Sequence, residues 1–186
     1  MFTYSVTRRA KTVQQPHGGY LPLSRFAHHT LEDGFCLKAA ENIPASIMGQ
    51  TVDYMSRLVA GLEVPEHAFQ VSLFGAMMAG YPHRGAELLS QIHGLDDASL
   101  SAACKLSSYD AYFRSPNMKA VHPVEPGPNH NTLFNIRLMI TRMVRFLSEY
   151  GPVIESGFTM EGGYTDIVSS GDGDFLTEDT LWDVKT

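Results

Sequence analysis

Along residues 131–150, Leu133, Ile136, Ile140, Met143, Val144 and Leu147 recur at three- and four-residue intervals, giving a helix one apolar stripe. Asn131 caps this stretch and Gly151-Pro152 stops it. A second amphipathic helix is predicted over 46–62 from Ile47, Val52, Met55, Leu58, Val59 and Leu62. Pro65 opens a third, over 66–79, whose Ala68, Phe69, Val71, Leu73, Phe74, Met77 and Met78 cover most faces, so it is expected in the interior. A short piece follows at 85–92. Asp96 or Asp97 then caps a helix through Leu100, Ala103, Leu106 and Tyr109 that ends before Pro116. Pro116, Pro123, Pro126 and Pro128 keep 116–130 from continuing it. Near the start, Pro16, Gly18, Gly19 and Pro22 make 12–26 an irregular entry segment, with Ser24 as a helix cap.

From Val153 the pattern changes. Residues 158–168 and 180–185 are rich in β-branched and aromatic side chains, and Gly171, Asp172, Gly173 and Asp174 between them form a turn signal. The reading is an α+β fold in one domain, 1–186: an irregular segment over 1–20, a mainly helical body over 24–150 and a β-hairpin over 153–186.

The hairpin carries the candidate chemistry. A symmetric register centred between Asp174 and Phe175 sets Asp166 opposite Asp183, with Cβ atoms about 4.5–5.5 Å apart. Lys185 is two residues from Asp183 and emerges on the same face. Trp182 and Val184 alternate with them and are expected to pack on the helices. Two carboxylates so close repel unless a cation lies between them. Mg²⁺ or Mn²⁺ suits such oxygen ligands, and Lys185 can orient or deprotonate a water, a set that fits phosphodiester hydrolysis.

Composition adds limits. The chain is 44% hydrophobic, enough for a core, and its net charge of −6 argues against binding nucleic acid mainly by neutralising phosphates. A local basic strip can still guide DNA, and the face of the 131–150 helix that bears Arg137, Arg142 and Arg145 is the candidate. Cys36 and Cys104 match no metal or disulfide spacing, and no apolar run resembles a signal peptide or a membrane span, so a cytoplasmic setting is expected. The eight histidines include no H-x-x-x-H or H-E-x-x-H pattern.

The run E-G-G-Y-T-D-I-V from Glu161 to Val168, followed by L-W-D-V-K-T from Leu181 to Thr186, resembles the G-x-x-D-x-V … D-x-K-T core of the RecB-like branch of the PD-(D/E)XK nucleases. Leu21 to Phe26 is similar to that family's helix-opening segment. The run from Ile47 to Asp53 is similar to its G-x-x-x-H motif, with Asp53 at the position of the histidine. The resemblance implies that Asp166, Asp183 and Lys185 are catalytic, that Asp166, Asp183 and Asp53 hold Mg²⁺ or Mn²⁺, that the hairpin belongs to a restriction-endonuclease-like core, and that DNA is the substrate. It also implies a further helix with Q-x-x-x-Y and more strands beyond D-x-K, whereas this sequence stops at Thr186. Two readings follow: a metal-dependent deoxyribonuclease, or the first part of one, completed by further chain or by a partner; and a non-catalytic nuclease-like protein that binds a protein or nucleic-acid partner.

Overall fold

In the computed structural model, which describes residues 4–14, 16–17, 23–25, 27, 32–114, 127–161 and 168–184, a two-residue strand β1 (Tyr4–Ser5) runs directly into helix α1 (Val6–Thr12). Ser5 caps the helix, its hydroxyl accepting the Arg8 N–H at 3.3 Å. The irregular segment expected over 1–20 is therefore structured across 4–12, because β1 gains a strand partner far along the chain that local composition does not reveal. Ser24, expected as a helix cap, lies inside a 3-10 turn, Leu23–Arg25.

The helical body follows the predicted periodicity closely. Helix α2 (Ala45–Val59) buries Met48, Val52 and Met55. The single helix expected over 66–79 is two pieces, α3 (Pro65–Ala68) and α4 (Gln70–Met78), joined at Phe69. Nor is α4 interior: Phe74, Met77 and Met78 are exposed, while Ser72, Gly75 and Ala76 face inward. The small residues decide this, since a Cβ at Gly75 would collide with the Tyr109 carbonyl, so α4 approaches its neighbour only through that side.

Helices α5 (Pro82–Leu89), α6 (Asp97–Ser107) and α7 (Asp110–Arg114) come next, with Asp96 capping α6 by accepting the Ser99 N–H at 2.9 Å. Helix α8 (His130–Tyr150) is capped by Asn129, two residues before the expected position. Leu100, Ala103 and Leu106 of α6, Ile136 and Ile140 of α8, and Val52 and Met55 of α2 form the main core with Phe69 and Leu88. Among the described residues no helix is long and apolar enough to cross a membrane.

Between α2 and the preceding turn, residues 33–42 run along α8 as an irregular strap held by side-chain to backbone hydrogen bonds. Asn135 accepts the Lys38 N–H at 2.7 Å and donates to the Lys38 carbonyl at 2.9 Å. Thr132 accepts the Asn42 N–H at 3.1 Å, and Asn129 and Asn131 donate to the carbonyls of Ala40 and Ala39. Cys36 lies exposed on the strap, whereas Cys104 is buried in α6 and its thiol is pushed up to about 11 by burial. Ellman's reagent is accordingly expected to titrate one thiol in the native protein and the second only in denaturant; two fast equivalents in native buffer would contradict this placement.

The strands are β2 (Glu155–Glu161), β3 (Val168–Leu176) and β4 (Leu181–Trp182). β3 is central: β2 pairs antiparallel along one edge, while β1, parallel, and β4, antiparallel, share the other edge at opposite ends. The stretch Gly171 to Asp174, expected as a turn, is thus strand, because β2 pairs along it, from Met160 with Gly171 to Phe158 with Gly173, and this ladder outweighs the poor strand propensity of its glycines. The tight turn is instead at 177–180, where the Thr177 N–H donates to the Thr180 carbonyl at 2.9 Å. Phe175 fixes the sheet to the body, clustering with Met143 and Leu147 of α8, and Trp182 and Val184 pack on that cluster as expected. The Trp182 ring meets Phe146 edge-on at 4.8 Å and Tyr150 at 5.6 Å.

Candidate active site

The β3–β4 register pairs Phe175 with Trp182 and Leu176 with Leu181. Continued by one residue, it sets Asp174, not Asp166, level with Asp183, and the Val184 N–H donates to Asp174 Oδ2 at 2.7 Å. The symmetric register of the sequence reading is therefore replaced by one displaced toward the C-terminus. Asp166 and Lys185 lie outside the described residues. Asp183 is exposed, on the side of the strand away from the Trp182 packing.

Across β3, the β2 register places Ser156 opposite Phe175 and Phe158 opposite Gly173, so Gly157 is the residue level with Asp174. Gly157 adopts φ +58°, and a Cβ there would occupy the position of the Arg57 guanidinium. The glycine thus admits a side chain from α2 onto the sheet beside Asp174. Arg57, nearly buried, lies with its guanidinium 5.7 Å from the centre of the Phe175 ring and 5.9 Å from that of Tyr54.

Arg57 also gathers acids. It binds Asp53, one helical turn earlier on α2, through Nε at 2.9 Å and Nη2 at 2.5 Å, and its Nη1 lies 3.6 Å from Glu63 Oε1. The Ser156 hydroxyl donates to the same Glu63 oxygen at 2.6 Å. Asp53 therefore does not face solvent as an ordinary surface residue; it is drawn in beside the sheet. Burial, with the charges of Asp174 and Glu63, pushes its carboxyl up to about 6 against the opposing pull of Arg57.

The sign of that shift gives a test. Asp53 holds its proton more tightly folded than unfolded, so its contribution to stability is complete below about 3.8 and is lost as pH rises through about 6. Urea midpoints of the metal-free protein are expected to rise from pH 7.5 to pH 5. Asp53→Asn should diminish that pH dependence. An Asn variant as pH-sensitive as wild type would refute the assignment.

Carboxylate oxygens are the right donors for a hard divalent cation, and a carboxylate engaged by arginine keeps lone pairs for a further partner. Asp174, Asp183 and Asp53 are accordingly the residues whose chemistry fits Mg²⁺ or Mn²⁺. Among the described residues no three His, Cys, Asp or Glu side chains are gathered around one point. Asp53 is turned onto Arg57, and Asp174 accepts the Val184 N–H.

The arginine strip expected on α8 is partly spent elsewhere. Arg137 donates to the Leu95 carbonyl at 2.8 Å and pairs with Asp97. Arg142 forks onto Asp33 through two contacts of 2.8 Å and reaches the Phe35 carbonyl, tying the strap to α8. Arg145 alone of the three is exposed on the helix. The sequence reading passed over Asp174, Glu63 and Arg57. Asp174 had a usable signal, since G-x-x-D occurs both at 163–166 and at 171–174, and the second copy is the one joined to D-x-K by the 177–180 turn.

No family model matches the chain, and no curated protein or solved structure matches it.

Proposed function

We propose that this chain is a metal-dependent nuclease of the PD-(D/E)XK kind, hydrolysing phosphodiester bonds of DNA, or the part of one that carries its metal site. The observation that supports it most is the register of β3 and β4, which, continued by one residue, brings Asp174 level with Asp183, while the charge of Asp174 is also felt at Asp53. These three carboxylates would hold Mg²⁺ or Mn²⁺; when bound, that ion lowers the pKa of a water and offsets charge growing on phosphate. Lys185, two residues after Asp183, would act as the neutral amine, accepting the proton of the water as its oxygen bonds to phosphorus, and the proton would pass through solvent to the sugar oxygen that leaves as its P–O bond breaks. Arg57 does not touch substrate. It holds Asp53 and Glu63 against the sheet and keeps their mutual repulsion from spreading the site.

One observation favours the non-catalytic reading: Arg57 pairs with both Asp53 and Glu63, as a structural ion-pair network would. Calorimetric titration with Mn²⁺, together with incubation of single- and double-stranded DNA in Mn²⁺, separates the two. The nuclease reading expects saturable Mn²⁺ binding and metal-dependent cutting; neither binding nor cutting would sink it.

A further inference from the structure

We propose that helix α1 is the surface on which this protein holds the phosphodiester backbone of DNA, through Arg8, Arg9 and Lys11. The first observation is the distribution of charge. Residues 1–31 contain Arg8, Arg9, Lys11 and Arg25 and no Asp or Glu, so the net charge of −6 arises wholly from the remainder of the chain. Such segregation makes the opening segment basic within an acidic chain, and locally concentrated positive charge acts on polyanions where an even mixture would not.

The second observation is placement. Arg8, Arg9 and Lys11 are all exposed on α1. Arg8 and Lys11, three residues apart, share one helix face with Cβ atoms about 5–6 Å apart, and Arg9 flanks them. The helix is anchored at its start, where Ser5 both caps it and continues from β1, which pairs with β3 at Val168 and Ser170. α1 packs against β3, the strand that carries Asp174. Arginine and lysine bound to successive phosphates would hold a strand against this sheet.

The link from α1 to cutting rests on the nuclease reading, but the binding itself does not, and the test keeps the two apart. Anisotropy of a short fluorescein-labelled duplex is measured in EDTA over a salt series, for wild type, Arg9→Ala/Lys11→Ala, Arg145→Ala and Glu66→Gln. The double variant, altered only at exposed positions, is expected to bind roughly tenfold more weakly at low salt, with the log–log salt slope reduced by about 2. Arg9→Lys should restore most of the arginine's share, since a phosphate contact needs charge rather than a fork, and Glu66→Gln, at an exposed position on α3, should bind as wild type.

Wild-type affinity and slope in the double variant would overturn the proposal, and if that variant also cut DNA normally the nuclease reading would stand without it. Loss of binding in Arg145→Ala but not in the α1 variant would assign the track to α8 and likewise overturn it. Tighter binding to phosphatidylserine vesicles than to the duplex would make α1 a membrane surface instead. Duplex binding through α1 in a protein that neither binds Mn²⁺ nor cuts would support the proposal and remove the nuclease reading.

Discussion

Asp174→Asn is expected to lower Mn²⁺-dependent cutting of DNA by at least about a thousandfold, the scale on which losing a group that organises transition-state charge is felt. The amide oxygen can still accept the Val184 N–H that Asp174 accepts at 2.7 Å, so the strand pairing should survive and the loss should be chemical rather than structural. Unchanged near-ultraviolet circular dichroism alongside lost cutting and weakened Mn²⁺ binding is the expected pattern. Asp166→Ala is the informative companion, because G-x-x-D occurs at both positions and the copy at 171–174 ends level with Asp183. Full activity in Asp174→Asn with loss in Asp166→Ala would return the first carboxylate to the place the resemblance implies.

The largest effect on stability is expected at Asp110. This carboxylate is fully buried at the start of α7, accepting the Tyr54 hydroxyl and the Ser72 hydroxyl, each at 2.5 Å, with Arg114 at 3.7 Å. Burial raises its pKa against those hydrogen bonds, and burial with the adjacent carboxylate pushes the Tyr54 phenol well above its ordinary range. Alanine at 110 would leave two interior hydroxyls without an acceptor. Each such orphan costs about 1–3 kcal/mol, so Asp110→Ala should lose about 3–5 kcal/mol in urea unfolding. Tyr54→Phe removes a donor and leaves a carboxylate still held by Ser72 and Arg114, and should cost about 1 kcal/mol. A loss below 1 kcal/mol for Asp110→Ala would show that water replaces the carboxylate.

The sequence was most readable where structure is local. The apolar stripes of α2, α6 and α8 recur with helical spacing, and Val52, Leu100, Ile136 and Ile140 are buried in the core as that spacing requires. Packing between elements was harder to read. Nothing in the composition of α4 reveals that Gly75 brings it against Tyr109 and leaves Phe74, Met77 and Met78 outside. The α+β class and the alternation of Trp182 and Val184 against Asp183 were legible because side chains alternate along a strand. The register was not, because the glycines at 171 and 173 signal a turn locally while β2 pairs with that stretch as a strand. The residue level with Asp183 is accordingly Asp174, eight positions after the one the symmetric register puts there. Asp53 was found through its position in a motif, but Arg57 and Glu63 could be recognised only once Gly157 was seen to open the sheet to α2.

The strap over 33–42 has a bearing on how the chain assembles. Its anchors on α8 lie about 90 residues away in sequence, with Lys38–Asn135 at 97, Asn42–Thr132 at 90 and Asp33–Arg142 at 109. Closing so long a loop costs entropy that a few polar contacts cannot repay until α8 is already in place. The strap therefore docks late, after the helices have collapsed, and α8 acts as a template whose asparagine ladder reads the backbone of an earlier segment. During synthesis that segment leaves the ribosome long before its template does, and it waits unfolded until residue 142 has followed it out.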